Sequence, residues 1–312
     1  MRTLTAKTSR HTLTIERSVR KYWQLYLLII PVLAYVIVFN YAPMYGVLIA
    51  FKDYKPGTPL LSGDWVGFKH FKRFFESIYF ERTVRNTLQI SLYSLVVGFP
   101  MPILLAIMLN EVRHLWFKKT VQTVTYMPYF ISTVVMASMI LIFLRPETGL
   151  VNLFLQKIGR ESIPFMTRKE MFKTIYVLSG VWQSTGWGSI VYIATLSGLD
   201  QEMFEAAIVD GANKVQRILY ITLPCLLPTA IILLILNAGS LMSVGFEKVF
   251  LLQTDLNLEQ SDVISTYVYR SGILGAQHSY ASAIGLFNSV VNFILLISVN
   301  QISKRVSSIS LF

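Results

Sequence analysis

Six stretches of this chain run for 25 residues or more without a charged side chain, and polar residues crowd between them. They cover 22–51, 86–110, 120–144, 174–199, 218–246 and 271–303. A bilayer core about 30 Å thick needs about 20 apolar residues in a helix. A charge at mid-bilayer costs on the order of 2.5–3.5 kcal/mol on insertion scales. Six such gaps predict an all-α membrane protein of six transmembrane helices, over about 25–50, 86–110, 120–144, 174–199, 222–246 and 279–303. Barrel strands are a poor alternative: at about 10 residues each they are much shorter, and they alternate in and out, which these runs do not.

The segments between the runs complete the plan. A basic tail, 1–21, carries Arg2, Lys7, Arg10, Arg17, Arg20 and Lys21, and a second tail, 304–312, opens with Lys304 and Arg305. The run after the first tail is too long for the 7–15-residue core of a signal peptide, so it is expected as an uncleaved first span. Tail position and the cations of 111–119 favour cytoplasmic termini, although loops 52–85 and 145–173 carry Lys and Arg too. Phe68–Phe75 mixes Phe with Lys and Arg and is expected as a helix lying at the membrane surface. Small residues such as Gly98, Gly186, Gly239 and Gly285 suit close helix packing.

Composition agrees with the pattern: 54% of the 312 residues are hydrophobic and 14% charged, against about 25% charged in soluble domains. The net charge of +11 sits in tails and loops. That points to anionic lipid headgroups and not to nucleic acid. One cysteine, Cys225, excludes an internal disulfide, and four scattered histidines lack ligand spacing, so no metal site is expected.

The loop between runs four and five, 200–217, is the most informative. Phe204, Ala207, Ile208 and Val215 recur at helical spacing around Gly211. Asp200 is placed to cap the helix start, and Glu202 and Glu205 suit its dipole. Gly211 fits a turn between two short helices or a close approach by another chain. Pro224 and Pro228 lead into the fifth span. An amphipathic segment held between two membrane helices is shaped to be gripped from the cytoplasm.

The stretch Glu205-Ala206-Ala207, Asp210-Gly211-Ala212, Leu223-Pro224 and Pro228 resembles the EAA motif of permease subunits in binding-protein-dependent ABC importers. The likeness extends over about 20–312. It takes in Gly149-Leu150-Val151-Asn152, Trp182 and Trp187, Gly245-Phe246-Glu247-Lys248, Tyr280 to Gly285, and the ending from Asn300. It is greatest to the carbohydrate-uptake branch, in the subgroup for complex or acidic oligosaccharides. The resemblance implies the type I importer permease fold, with 200–217 as a cytoplasmic coupling loop in a bacterial inner membrane. It implies a second, homologous permease subunit, an ABC ATPase dimer and an extracytoplasmic binding protein that delivers an oligosaccharide. The chain is then a transport subunit, not an enzyme. It needs no cofactor of its own: no G-x-x-x-x-G-K-[ST] sequence occurs, and ATP with Mg belongs to the partner. Glu205, Ala206, Ala207, Asp210 and Gly211 are implied at the ATPase contact, although Glu205 alone would read as a solvated face and Asp210 equally as a turn cap.

For the solute path the sequence offers Trp182, Gln183 and Trp187 in span four, Asn237 in span five, and Asn288 and Asn292 in span six. Amides in a membrane helix need a partner or a wet cavity. The competing role for each is a bond between helices or an interfacial anchor. A secondary carrier is disfavoured by the charge-free spans and the lack of a clear repeat. An intramembrane hydrolase is disfavoured by the absence of H-E-x-x-H and G-x-S-x-G. An importer of peptides or amino acids stays open on physical grounds.

Overall fold

The computed structural model describes residues 21–59, 62–307 and 310–311. The expected basic tail therefore lies, but for Lys21, outside the described residues. Among these residues the structure is helical, with a single isolated β-bridge, Lys52 to Trp65. Four helices have the length and apolarity to cross a membrane: α1 (Trp23–Phe51), α3 (Ile78–Asn110), α9 (Lys214–Ala238) and α13 (His278–Ser307). A short α2 (Lys69–Phe75) lies between the first two. The pair Leu115–Phe130 (α4 with its 3-10 end) and Thr133–Phe143 (α5) is bent by 100° and would make a fifth crossing as one span. The remaining long helix, α7 (Phe172–Ser197, 26 residues), reaches about 39 Å at 1.5 Å per residue. It lacks comparable apolarity because Ser, Thr, Gly, Gln183, Trp182 and Trp187 interrupt it.

Three of the departures of helix ends from the uncharged runs bear on packing. First, α3 begins at Ile78, so Glu81, Arg82 and Arg85 are helical and not in a loop. Arg82 is held there by the carboxylate of Asp262. Second, the fifth long helix stops at Ala238, well before 246, and Gly239, Ser240, Ser243 and Gly245 form a non-helical turn. Asn292 on α13 stitches that turn: its Oδ1 accepts from the Met242 N–H at 2.8 Å and its Nδ2 donates to Ser243 Oγ at 2.9 Å. Third, α13 continues through Lys304 and Arg305 to Ser307. Leu311 N–H then folds back onto Asn300 Oδ1 at 2.8 Å.

The bend between α4 and α5 has a chemical cause. Pro128 sits in the 3-10 turn Met127–Phe130, and Ile131 turns extended. A broken helix in a membrane must have its freed backbone groups satisfied. Gln183 of α7 does this, donating from Nε2 to the Ile131 carbonyl at 2.8 Å. The two helices touch backbone to backbone close by: a Cβ on Gly186 would lie 1.9 Å from the Thr125 carbonyl oxygen.

Three buried clusters hold the helices together. Phe172, Ile90, Val249 and Leu252 form the first, Phe74, Ile264, Tyr280 and Ile284 the second, and Ala106, Tyr192, Leu196 and Leu226 the third. The second cluster fixes the segment Phe68–Phe75. Phe74 is buried against Tyr267, Tyr280 and Phe287, so one face of α2 docks on α13, while Phe68 and Phe75 stay exposed. The start of α3 is clasped to the segment 257–270. Asp262, 0% exposed, takes Arg82 and Arg270, and Asn86 Nδ2 donates to the carbonyls of Glu259 and Asp262 at 2.9 and 3.1 Å. Nearby, Lys169 and Glu259 pair at 2.6 Å on the surface. Each draws the other away from its ordinary value, the lysine upward and the carboxylate downward.

Candidate functional site

Two features stand out: a groove walled by α3, α7 and the turn after α9, and the exposed loop between α7 and α9.

The groove has a volume of about 600 Å³. Its wall is mostly apolar, with hydroxyls from Ser91, Ser94, Ser184, Ser240 and Ser243 among the aliphatic positions. Trp187 presents an indole to it, and the ring is fixed from behind. It stacks on Tyr129, with centroids 4.6 Å apart and planes 5° from parallel, and Phe130 meets it edge-on at 5.7 Å. Both rings lie on the 3-10 turn Met127–Phe130, just before the bend, where α4 packs against α7. Lys248, on the short α10 (Phe246–Leu252), reaches into the groove from outside the spanning helices. Its Nζ donates to the Tyr176 carbonyl at 2.9 Å and lies 4.7 Å from the centre of the Tyr176 ring. Burial pushes its ammonium down, to about 8, which leaves it largely protonated at neutral pH. Every other residue lining the groove is uncharged.

Of the six residues the sequence offered for a solute path, three line this groove: Gln183, Trp187 and Asn237. The amides of two are engaged, Gln183 with Ile131 and Asn237 with the Leu233 carbonyl at 2.8 Å. Trp182 is exposed and outside the groove. Asn292 also lies outside it, stitching the turn after α9. Asn288 is a third outsider, and its Oδ1 is buried without a partner among the described residues. Sequence reasoning gave no role to Lys248, Tyr176 or the serines. The available signal was the pair Glu247-Lys248, which closes an uncharged run whose end is rich in Gly and Ser.

The loop is built from helix-end chemistry. Asp200 caps α8 (Gln201–Val209), its Oδ1 accepting from the Glu202 N–H at 3.0 Å. The helix ends in a Schellman turn: Gly211 N–H donates to the Ile208 carbonyl and Ala212 N–H to the Ala207 carbonyl. Gly211 takes φ +79°, and space around its missing Cβ is open. Glycine is therefore required there for conformation, not for a contact within the chain. Asn213 and Gln216 then cap the start of α9 reciprocally, at 2.9 and 2.8 Å. Of the expected contact residues, Glu205, Ala206, Asp210 and Gly211 are exposed, and Ala207 is half-buried. Phe204 turns partly inward with Ala207, while Ile208, Val209 and Val215 stay 55%, 86% and 63% exposed.

Residues 98–308, a span holding both the loop and most of the groove, match the family described as "Binding-protein-dependent transport system inner membrane component". The chain belongs to this family. It is 43% identical over 288 residues to Protein LplB of Bacillus subtilis (strain 168), covering 92% of this chain and 91% of that protein. It is 40% identical over 299 residues to the same organism's polygalacturonan/rhamnogalacturonan transport system permease protein YteP, covering 96% and 92%. Among solved structures it superposes on a chain of a bacterial ABC transporter involved in the import of the acidic polysaccharide alginate. That match has a TM-score of 0.87 and 41% identity, covering 94% of this chain and 99% of the other. A second structure, of a bacterial alginate ABC transporter in complex with its alginate pentasaccharide-bound periplasmic protein, gives a TM-score of 0.88.

Proposed function

We propose that this chain is one of two homologous permease subunits of an ATP-driven importer of oligosaccharides. The observation that carries this is the loop 200–217: a capped helix ending in a Schellman turn, with Ile208, Val209 and Val215 left bare beside Glu205. Bare aliphatic side chains on a polar loop mark a surface meant to be covered. The covering partner is an ABC ATPase, and α8 is the helix it grips. The chain crosses the membrane six times, with both termini and this loop in the cytoplasm, and α4 with α5 count as one bent crossing. Sugar is supported by the groove, where an indole and several hydroxyls face a passing ring, and by relatives that carry polygalacturonan and alginate in their names.

Coupling is a two-state argument. ATP favours the closed ATPase dimer, and α8 moves with the surface that holds it. The groove is thereby exposed alternately to the binding protein and to the cytoplasm. Each ligand shifts that equilibrium only by its differential affinity for the two states.

The test is ATP hydrolysis by the complex reconstituted in lipid with its sister subunit, ATPase and binding protein, across a panel of oligosaccharides. Glu205→Ala and Gly211→Val are compared with wild type. A β-branched residue at φ +79° strains the turn by about 1–2 kcal/mol. Sugar-stimulated hydrolysis should fall several-fold in both variants while basal ATPase activity persists. Failure of the wild-type chain to associate with any ATPase would sink the proposal.

A further inference from the structure

Lys248 is the one charged side chain among the residues that line the groove. It is 9% exposed, and no carboxylate pairs with it among the described residues. An ammonium has three donors. One is taken by the Tyr176 carbonyl, and the Tyr176 ring covers another side. The backbone of α7 makes room for it: a Cβ at Gly180 would come within 3.3 Å of Nζ. Tying α10 to α7 needs only a neutral donor. A buried cation without a counter-charge is costly to keep, and the cost is recovered when an anion arrives. The neighbouring wall supplies hydroxyls at Ser184, Ser240 and Ser243 and the indole of Trp187, groups suited to sugar rings but indifferent to charge.

We propose that Lys248 reads the charge of the passing solute, favouring a carboxylate-bearing saccharide, a uronate oligomer, over a neutral or esterified one of the same length. This rests on the importer reading above and names the substrate class of its groove. One cation, and not a cluster, suits transport, because a site that bound the carboxylate tightly would not release it.

The experiment uses the full reconstituted complex, with uptake into proteoliposomes as the readout. The solutes are an oligogalacturonate and the same oligomer with part of its carboxylates methyl-esterified. The binding protein is common to every variant, so its own preference cancels when each variant is divided by wild type. Lys248→Gln should lower uptake of the ionised oligomer about tenfold, the size of one charge-assisted hydrogen bond. It should lower uptake of the esterified oligomer far less, and Lys248→Arg should keep most of the wild-type rate for both. Melting temperatures in detergent check that all variants fold. An equal loss for both sugars in Lys248→Gln, or no loss for either, makes Lys248 a strut between α10 and α7 and overturns the proposal. A wild-type complex that carries only neutral oligosaccharides overturns it too, and leaves the importer reading standing. A complex that carries no sugar removes the importer's substrate class first, and this inference with it.

Discussion

The contact at Gly186 lets packing in this chain be tested by a single methyl group. A Cβ added there would lie 1.9 Å from the carbonyl oxygen of Thr125 and 2.4 Å from its carbon. Carbon and carbonyl oxygen in contact rest at about 3.3–3.6 Å, so α4 has to back away from α7 by about 1.5 Å. Thr125 is main chain inside a helix, and no rotamer change relieves the clash. Overpacking of this kind costs about 1–3 kcal/mol. The retreat of α4 also threatens the Tyr129–Trp187 stack and the bond from Gln183 to Ile131, about 0.5–1.5 kcal/mol each. Gly186→Ala should therefore destabilise the fold by about 2–6 kcal/mol. Gly285→Ala is the control, because nothing lies within 4 Å of its Cβ position. In a helix that change is neutral or slightly stabilising. Thermal unfolding of the purified chain in one detergent would compare the two. If Gly186→Ala melts where Gly285→Ala does, α4 and α7 do not cross at this distance and α4 does not back Trp187.

Further outcomes follow from the same geometry. Asp262→Ala leaves Arg82 and Arg270 without their shared carboxylate. Both arginines are about a third exposed and can re-solvate, so the loss should be about 2–3 kcal/mol, less than for a fully buried pair. Hydrogen exchange should rise across 257–270 before it rises elsewhere. Asn152→Ala removes three bonds that latch the loop after α5, to the Arg145 carbonyl, the Ile163 carbonyl and the Ile163 N–H. It should cost about 1–3 kcal/mol, confined to that loop in hydrogen exchange. An effect of Asn152→Ala on the melting of the α3–α7 interface would contradict the assignment of the latch.

What was legible in the sequence was what depends on neighbours along the chain. The uncharged runs mark the long helices because a bilayer excludes charge from each segment independently. Asp200 and Gly211 announced a capped helix and a turn, because helix ends are satisfied locally. Even the exposure of Glu205 follows from its position in a short polar loop.

Side-chain partners were not legible, because they come from far along the chain. Gln183 and Asn292 read equally well as solute ligands, since an amide in a membrane helix only announces that it needs a partner. Folding decided that Gln183 would hold the broken end of α4 and Asn292 the turn after α9. Arg82 looked like a loop residue until Asp262, 180 positions away, was brought beside it. Lys248, for which no role was legible, became the one cation lining the groove because α10 folds back against α7. The sequence by itself determined which segments are apolar enough to form the long helices and that the loop 200–217 turns at Gly211, since solvation and helix capping act residue by residue. Only the tertiary structure decided which polar side chains spend their hydrogen bonds on one another and which remain facing the groove.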